Sequence, residues 1–309
     1  MSEVQFGLFF AVIIAIFSNA LGKDNDRVIS PRVRKYGFHV YNFAPEMLLD
    51  YASAHKLNHI EISLTREHAP LESFDRERIA TLNAFAAQNQ IEWSLHLPHA
   101  VNLADIIPPM QWRHLNYFIK AIHLAYELHA THITTHIGNF FWFPVTHWSR
   151  RKALGRFLDN MQKIIALCEA KGIVIAIENL VPIPHGTDFY LLGDNIEDFI
   201  HIFAVIDSPA LRFCLDTGHA NMAEGVLAYL ARLGDKLACI HYHDNRGFND
   251  EHLPVGQGTI PWREMVAELT RMDYAGPYVS ECRNIHPHEA AELLQAYFND
   301  TLIMPLGRP

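Results

Sequence analysis

Residues 240–258 of this 309-residue chain contain a dense group of side chains that bind metals. Residues 237–243 are mostly apolar with a β-branched centre and lead into turn-forming residues, which predicts a short buried strand. Alternate side chains of a strand share a face, so His241 and His243 are expected on the same side. Two imidazoles at a strand end are typical of a site for a divalent cation.

The loop after this predicted strand supplies further groups of the same kind. Asp250, Glu251 and His252 stand together there. Their carboxylates and imidazole add to the groups of the strand end, so the whole stretch predicts a metal site. A polar surface loop with histidines present by chance is the alternative, and the other strands decide between the two.

The same residue types end other apolar runs of the chain. The polar residues at these ends are His96, His136, Glu178, Asp216 with His219 three positions later, His241 and Glu281. A single histidine at a strand end is more often a hydrogen-bonded core group than a ligand, and a single buried carboxylate often pairs with arginine. The set is therefore informative only if the fold brings its members together.

The periodicity of the chain indicates such a fold. Eight apolar runs predict strands at residues 36–41, 59–64, 91–97, 132–137, 173–180, 211–216, 237–243 and 278–283. Amphipathic segments predict helices between and after them, at residues 45–55, 75–88, 111–129, 148–171, 196–206, 223–233, 261–272 and 288–298. Eight βα units predict a closed parallel (β/α)8 TIM barrel, whose functional residues gather at the strand C-terminal ends. A doubly wound sheet is the alternative, but no G-x-G-x-x-G opens the first helix.

In such a barrel the carboxylates of Glu178, Asp216 and Glu281 would meet at one mouth. Burying three carboxylates without compensation is very costly, and few arginines stand near them in sequence. A divalent cation supplies the positive charge and accepts both carboxylate oxygen and imidazole nitrogen. The residues two positions before four of the candidates are small and leave room on the same face: Ser94, Thr134, Ala176 and Cys214.

Composition narrows the class of protein. Half of the residues are hydrophobic and 19% are charged, which indicates a globular chain. The 20 histidines are about three times typical usage. The net charge of −9 argues against a wide phosphate-binding face, so no nucleic acid partner is expected. The four cysteines lack a CxxC spacing and are expected to be reduced core residues.

Residues 1–35 are expected to form an N-terminal extension and linker, followed by a barrel domain at residues 36–309. Residues 6–17 are nearly all apolar, and residues 18–20 resemble the cleavage site of a signal peptide. Glu3 precedes this run whereas the lysines and arginines follow it, and the run is shorter than the roughly 20 residues of a spanning helix. We therefore expect a cytoplasmic protein whose residues 6–17 make at most weak membrane contact. Export or anchoring through this run is the alternative.

The order of the candidate residues resembles the xylose-isomerase-like barrel superfamily, which includes sugar phosphate isomerases and epimerases as well as endonuclease IV. The resemblance covers roughly residues 36–298 and rests on His96, His136, Glu178, the Asp216-Thr-Gly-His219 motif, His241, Asp250-x-His252 and Glu281. Residues 96–104 resemble the strand-three loop of endonuclease IV. Residues 178–180 and the strand-seven stretch are more similar to the isomerase and epimerase branch.

The isomerase and epimerase branch implies one divalent ion, Mn, Mg, Co or Zn, held by Glu178, Asp216, His241 and Glu281. The ion would polarise a hydroxyl and a carbonyl of a sugar or sugar phosphate. Glu178 and Glu281 would move a proton at the neighbouring carbon. His219 would hold a substrate oxygen.

The endonuclease branch implies a three-zinc cluster that activates water against a phosphodiester, with all nine residues as ligands. His96, His136, Asp250 and His252 favour it, because a one-metal isomerase does not need them. The acidic chain opposes it, and residues 42–45 offer no arginine that could stack on a base. We expect the isomerase or epimerase. The multi-zinc hydrolase is the alternative, and a barrel that keeps the metal residues without turnover is the second alternative.

Residues 139–144, which include Trp142, are too apolar for an ordinary loop. They are expected either to form a lid whose rings stack on sugar faces or to be buried against another subunit of a homo-oligomer. Arg246 is a further candidate for substrate binding. Glu61, Arg246 and Trp262 are candidates to line the mouth, with a structural or solvated role equally open for each.

Overall fold

All eight predicted barrel strands form in the computed structural model, which describes residues 33–40, 42–65, 67–141, 146–183 and 189–303. The strands are β1 (Lys35–Val40), β2 (His59–Ser63), β3 (Glu92–His96), β4 (His132–His136), β5 (Gly138–Phe141), β6 (Val174–Glu178), β7 (Phe189–Leu192), β8 (Leu211–Asp216), β9 (Leu237–Tyr242) and β10 (Pro277–Ser280). All except β5 and β7 are parallel and close into a barrel, in which β1 pairs with both β2 and β10. The predicted (β/α)8 barrel is confirmed, and the doubly wound alternative is wrong.

Helices connect the strands and bury one face each. They are α1 (Leu49–Ala54), α2 (Arg76–Asn89), α3 (Pro108–Glu127), α4 (His147–Lys171), α5 (Ile196–Val205), α6 (Thr217–Met222), α7 (Val226–Leu233), α8 (Trp262–Arg271) and α9 (Pro287–Ile303). In α3, Phe118, Ala121, Ile122 and Ala125 recur at helical spacing and are all buried. This apolar stripe is what holds an amphipathic helix against a core.

Small side chains fill part of the barrel interior. Ala176, Cys214 and Cys239 are fully buried and pack together as a group separate from the main hydrophobic core. Of the four free cysteines, Cys168, Cys214 and Cys239 are buried and Cys282 is half-buried.

Two element boundaries differ from the prediction in ways that shape the barrel mouth. A helix was expected only from residue 223, but α6 begins directly after β8 because Oδ1 of Asp216 accepts a hydrogen bond from the backbone N–H of His219 (2.7 Å). A side chain that caps a helix in this way fixes where the helix starts. The last strand was expected to reach residue 283 but ends at Ser280, so Glu281 lies in the loop directly after it.

A two-stranded antiparallel sheet outside the barrel was not predicted. β5 pairs with β7 in the register Gly138 to Leu192 and Phe141 to Phe189. Residues 139–141 of the apolar segment are therefore strand residues. Trp142 and the rest of that segment lie outside the described residues, so its function as a lid or a subunit contact stays a prediction.

The barrel begins close to the predicted boundary. β1 starts at Lys35, and the guanidinium of Arg34 lies 3.9 Å from the ring centroid of Phe298 in α9. Residues 1–32, including residues 6–17, lie outside the described part, so the extension and its membrane contact stay predictions. In the part of the chain that the structure describes, no helix is both long and apolar enough to cross a membrane.

Two glycines give a matched test of barrel packing. A Cβ at Gly37 in β1 would lie 2.2 Å from the backbone oxygen of His59, whereas a Cβ at Gly155 in α4 would meet nothing within 4 Å. We expect Gly37→Ala to destabilise the protein by about 1–3 kcal/mol, because the backbone of a closed barrel cannot easily shift. Gly155→Ala should stabilise it by about 0.5–1 kcal/mol through helix propensity. Thermal melting of both variants checks this, and equal melting temperatures would contradict it.

Candidate metal centre

A cavity of about 480 Å³ opens at the C-terminal ends of the barrel strands. This volume is in the range of small-molecule pockets, about 300–1,000 Å³. Seven of the predicted ligands line it: His96, His136, Glu178, His219, Asp250, His252 and Glu281. The other two, Asp216 and His241, are fully buried and contact lining residues. The barrel thus brings all nine residues together at its mouth.

Two glutamates face the same ring nitrogen of His241. Nδ1 of His241 is 3.3 Å from Oε1 of Glu178 and 3.2 Å from Oε1 of Glu281. The second carboxylate oxygen of Glu178, Oε2, is 3.1 Å from Nε2 of His96 and 3.2 Å from Nε2 of His136. We call these five residues the glutamate cluster. Their oxygen and nitrogen atoms are a donor set that divalent metals accept.

A second group of ligands surrounds two aspartates. Nε2 of His243 lies 3.1 Å from Oδ1 of Asp216, and Nε2 of His252 lies 3.0 Å from Oδ2 of Asp250. The rings of His243 and His252 stack with their centroids 3.9 Å apart. His219 spans the group, with Nδ1 3.4 Å from Oδ1 of Asp216 and Nε2 3.7 Å from Oδ2 of Asp250. We call these five residues the aspartate cluster.

His219 also joins the two clusters, because its Nδ1 is 3.9 Å from Oε1 of Glu178. The one-metal assignment from the sequence combines residues of both clusters. Glu178, His241 and Glu281 meet directly, whereas Asp216 contacts His243 and His219 instead of His241. His243 therefore belongs to the site, although the sequence analysis did not select it as a ligand.

The Asp-Thr-Gly-His motif is held in place by its neighbours. The side chain of Asn179 donates to the backbone oxygen of Asp216 (2.9 Å) and accepts from its backbone N–H (2.8 Å). Gly218 leaves space for the ring of His243, since a Cβ there would lie 2.0 Å from Cε1 of that ring. Sequence order in the motif thus places an aspartate, an imidazole from the same turn and an imidazole from the next strand side by side.

Asp244 holds the loop that carries Asp250 and His252. Its Oδ2 accepts hydrogen bonds from the indole N–H of Trp262 (2.8 Å) and the backbone N–H of Gly256 (3.0 Å). Trp262 is therefore a buried structural residue at the start of α8, and it does not line the cavity. Closing the loop on one buried carboxylate fixes the path of the chain through the aspartate cluster.

Surrounding imidazoles lower the pKa of Glu178, Asp250 and Glu281. Burial opposes ionisation of Glu178, but the charge of His241 and hydrogen bonds from His136 and His96 hold its pKa well below the usual value. Conversely, burial opposes protonation of His219, but the charge of Asp216 and a hydrogen bond to Asp250 raise its pKa to about 10. Opposite charges at such short range favour the charged form of each partner.

The residues present fit divalent metal ions. Oδ1 of Asp250 is buried and accepts no hydrogen bond from the described residues, so a strong acceptor points into the site without a donor. Candidate ligand atoms also lie within 4.8 Å of one another in several sets, among them His96 with His136 and Glu178, and His243 with Asp250 and His252. Mixed carboxylate and imidazole donors suit Zn or Mn better than Mg.

The remaining predicted residues lie elsewhere. The guanidinium of Arg246 is mostly exposed and pairs with Glu251, and Arg246 does not line the cavity. Glu61 lies inside the barrel and is fully buried. Trp142 lies outside the described residues.

Three ionisable residues that line the cavity were missed by the sequence analysis. Nδ1 of His39 lies 2.9 Å from Oε1 of Glu281, the ring of His99 stacks on His136 with centroids 3.9 Å apart, and Arg283 lines the rim. His39 could have been found, because it is the next-to-last residue of a barrel strand. Arg283 could also have been found, because it lies two positions after Glu281 in the predicted strand 278–283 and would share its face. His99 stands in a loop, where no periodicity indicates the direction of a side chain.

Comparison with known proteins agrees with this geometry. Residues 49–300 match the xylose isomerase-like TIM barrel family. The uncharacterized protein MJ1311 of Methanocaldococcus jannaschii is 28% identical over 275 residues, which cover 85% of this chain and 89% of that protein. Fructoselysine 3-epimerase of Shigella flexneri is 27% identical over 206 residues, which cover 66% of each protein.

A solved structure, described as that of a D-tagatose 3-epimerase-like protein, has a TM-score of 0.75 and 25% identity to this chain. The similarity covers 87% of this chain and 99% of that one. The closed barrel, the ligands at its mouth and the family match over most of its length lead to one conclusion. This chain belongs to the xylose isomerase-like TIM barrel family.

Proposed function

We propose that this protein is a divalent-metal-dependent isomerase or epimerase that moves a proton at a carbon next to the carbonyl of a sugar or sugar phosphate. One observation carries the proposal: Glu178 and Glu281 approach Nδ1 of His241 from two sides, at 3.3 and 3.2 Å, in the mouth cavity. Two carboxylates beside a candidate metal ligand supply an acid and a base next to a Lewis acid, which suits metal-assisted proton transfer. The epimerases among the similar proteins support the same reaction class.

The two glutamates would carry the proton transfer. One carboxylate takes the proton from the carbon next to the carbonyl, and the electron pair of the broken C–H bond moves to the carbonyl oxygen. The other, after taking a proton from water, returns it to the opposite face of that carbon. Glu178 ends β6 and Glu281 follows β10, with β8 and β9 between them in the barrel, so their side chains reach the cavity from different sides.

Glu178, Asp216, His241 and Glu281 would hold the ion. When bound, it would make the C–H bond beside the carbonyl more acidic and offset the negative charge on oxygen. His219 would hold a substrate oxygen through Nε2, because its Nδ1 is 2.8 Å from the backbone oxygen of Asn179. His96, His136, His219, Asp250 and His252 would be ligands if more than one ion binds.

Arg283 favours a substrate with an anionic group. It is the only lysine or arginine among the described residues that line the cavity, and its guanidinium has no ion-pair or hydrogen-bond partner in the described part of the chain. A guanidinium is well suited to bind phosphate or carboxylate with two hydrogen bonds. This favours a sugar phosphate over a neutral sugar.

The hydrolase alternative is supported by four residues that a one-metal isomerase does not need: His96, His136, Asp250 and His252. With two or three ions, the site could activate water against a phosphodiester. The protein carries a net charge of −9, which weakens any interaction with nucleic acid. The isomerase or epimerase therefore remains our proposal, and cytoplasmic location and homo-oligomer formation stay predictions.

Replacing either glutamate tests the proposed proton transfer. We expect Glu178→Gln and Glu281→Gln to fold normally but to lose proton exchange by about 100-fold or more, because the amide cannot accept the proton. Incorporation of solvent deuterium into a panel of ketoses and ketose phosphates measures this. Glu92→Gln is the matched control, since Glu92 forms a surface ion pair with Lys35 and should retain full activity. Unchanged exchange in both site variants would contradict the proposal.

The aspartate cluster decides between the two reaction classes. For an isomerase, Asp250→Ala and His252→Ala should retain proton exchange within about tenfold, since neither residue moves the proton. For a multi-metal hydrolase, each should lose a metal ion and most of the cleavage of DNA containing abasic sites. Metal analysis of the same preparations distinguishes the cases. A protein with neither metal nor activity in these assays would support the non-catalytic alternative.

The substrate class can be tested through Arg283. We expect Arg283→Met to raise KM for ketose phosphates about tenfold or more, because hydrogen bonds to charged groups contribute about 1.5–3 kcal/mol. KM for neutral ketoses should not change. Arg263→Met is the control, since Arg263 is exposed on α8 and pairs with Asp300. A parallel change in KM for neutral and phosphorylated ketoses would rule out an anion-binding role.

A further inference from the structure

We infer that Glu61 is a positioning residue that holds the ring of His241 so that Nδ1 faces the metal site. This inference rests on the proposed function, because it concerns the orientation of one proposed ligand. Glu61 does not line the cavity and touches no substrate position. Its effect would pass entirely through the imidazole of His241.

The ring of His241 has a different environment at each nitrogen. Nε2 lies 2.8 Å from Oε1 of Glu61, whereas Nδ1 lies 3.3 Å from Glu178 and 3.2 Å from Glu281. Both Glu61 and His241 are fully buried. Glu61 therefore occupies one side of the ring, and the two glutamates of the cavity occupy the other.

Glu61 is itself held by two hydroxyl groups. Oε2 accepts hydrogen bonds from Oγ of Ser94 (2.9 Å) and from Oγ1 of Thr134 (2.7 Å). These bonds occupy one carboxylate oxygen and limit rotation of the group. Oε1 of Glu61 and Nε2 of His241 are both buried and have no hydrogen bond within the described residues. Their 2.8 Å contact is an ion pair, and it is the closest polar contact that either atom makes in the described part of the chain.

The contact crosses the barrel interior. β2, which carries Glu61, is separated from β9, which carries His241, by β1 and β10. A side chain can reach that far only where the interior is not already filled. In the other direction around the barrel, β6 and β8 also lie between β2 and β9. Their residues Ala176 and Cys214 are small and fully buried, and they leave the required space. The small residues beneath the ligands thus make room for the contact between Glu61 and His241.

The contact between Glu61 and His241 matters because it affects which ring nitrogen of His241 can bind a metal. A neutral imidazole has one N–H and one lone pair, and the group that accepts from the N–H decides which nitrogen keeps the lone pair. The carboxylate of Glu61, 2.8 Å from Nε2, favours the proton on that nitrogen, so the lone pair of a neutral His241 would be on Nδ1, which faces the glutamate cluster. Carboxylates that orient ligand histidines in this way typically change metal affinity by about 10- to 100-fold.

Metal binding by the whole protein tests the inference. Apoprotein is titrated with Mn²⁺ and with Zn²⁺, for the unaltered chain and for Glu61→Ala, Glu61→Gln and Thr134→Val. We expect Glu61→Ala to weaken binding of the tightest ion about 10- to 100-fold. Glu61→Gln should recover most of the affinity, because its amide oxygen still accepts from Nε2–H. Thr134→Val, which removes one hydrogen bond to Oε2 only, should stay within about threefold.

A spectroscopic measurement distinguishes orientation from general loss of structure. Protein with ¹⁵N-labelled histidine is loaded with ¹¹³Cd²⁺, and the ring nitrogen coupled to cadmium is identified. The signal that is absent from His241→Asn belongs to His241. For this signal we expect cadmium coupling at Nδ1 and a proton on Nε2. In Glu61→Ala this signal should broaden or move to Nε2, while circular dichroism stays unchanged.

These experiments distinguish failure of the proposed function from failure of the inference about Glu61. If the unaltered chain binds neither Mn²⁺ nor Zn²⁺, the proposed metal-dependent function fails and the inference fails with it. If the unaltered chain binds metal but Glu61→Ala binds equally well, or cadmium couples to Nε2 of His241, the inference alone is overturned. A loss in Thr134→Val as large as that in Glu61→Ala also overturns it, because general disturbance of the buried layer would then explain both.

Discussion

Charge compensation between buried carboxylates and imidazoles is the constraint on which this barrel depends. Glu61, Glu178 and Asp216 are each at most 2% exposed, and such burial is prohibitive for unpaired charges. Within the described residues, every ion pair of these three carboxylates is with a histidine. Six of the 20 histidines of the chain make these pairs: His96, His132, His136, His219, His241 and His243. Imidazoles balance the charge without metal and become ligands when an ion replaces their protons.

The compensation works only because the barrel directs strand ends to one place. Each strand contributes one or two inward side chains, and the parallel closure aligns their C-terminal ends. The layer beneath is made of small or hydrogen-bonding residues, including Ser94, Thr134 and Ala176. That layer lets Glu61 reach His241 from across the barrel. The residues that fill the barrel interior therefore also position the site. We expect a substitution in this interior layer to shift the ligand side chains above it.

Much of this arrangement could be predicted from the sequence, and the exceptions have physical reasons. A polar residue at the end of an apolar run marks a strand end, so the barrel and its nine mouth residues followed from periodicity and resemblance. The partners of each residue did not follow. β9 ends at Tyr242, so His243 is past the strand and free to contact Asp216, whereas His241 is held inward toward Glu61. The pairing of β5 with β7 depends on a contact between distant segments that no local pattern encodes.

The division of the mouth into two clusters connects metal number to reaction class. A carboxylate that binds a metal through both oxygens is a weaker base toward a C–H bond, because the cation stabilises its ionised form. If ions filled both clusters, Glu178 and Glu281 would be weakened as bases, which favours activation of water over proton transfer at carbon. If one ion is held by Glu178, Asp216, His241 and Glu281, a glutamate oxygen stays available for the proton, and His219 and Asp250 can serve substrate hydroxyls. The same nine residues are thus compatible with either chemistry, and occupancy of the aspartate cluster separates them.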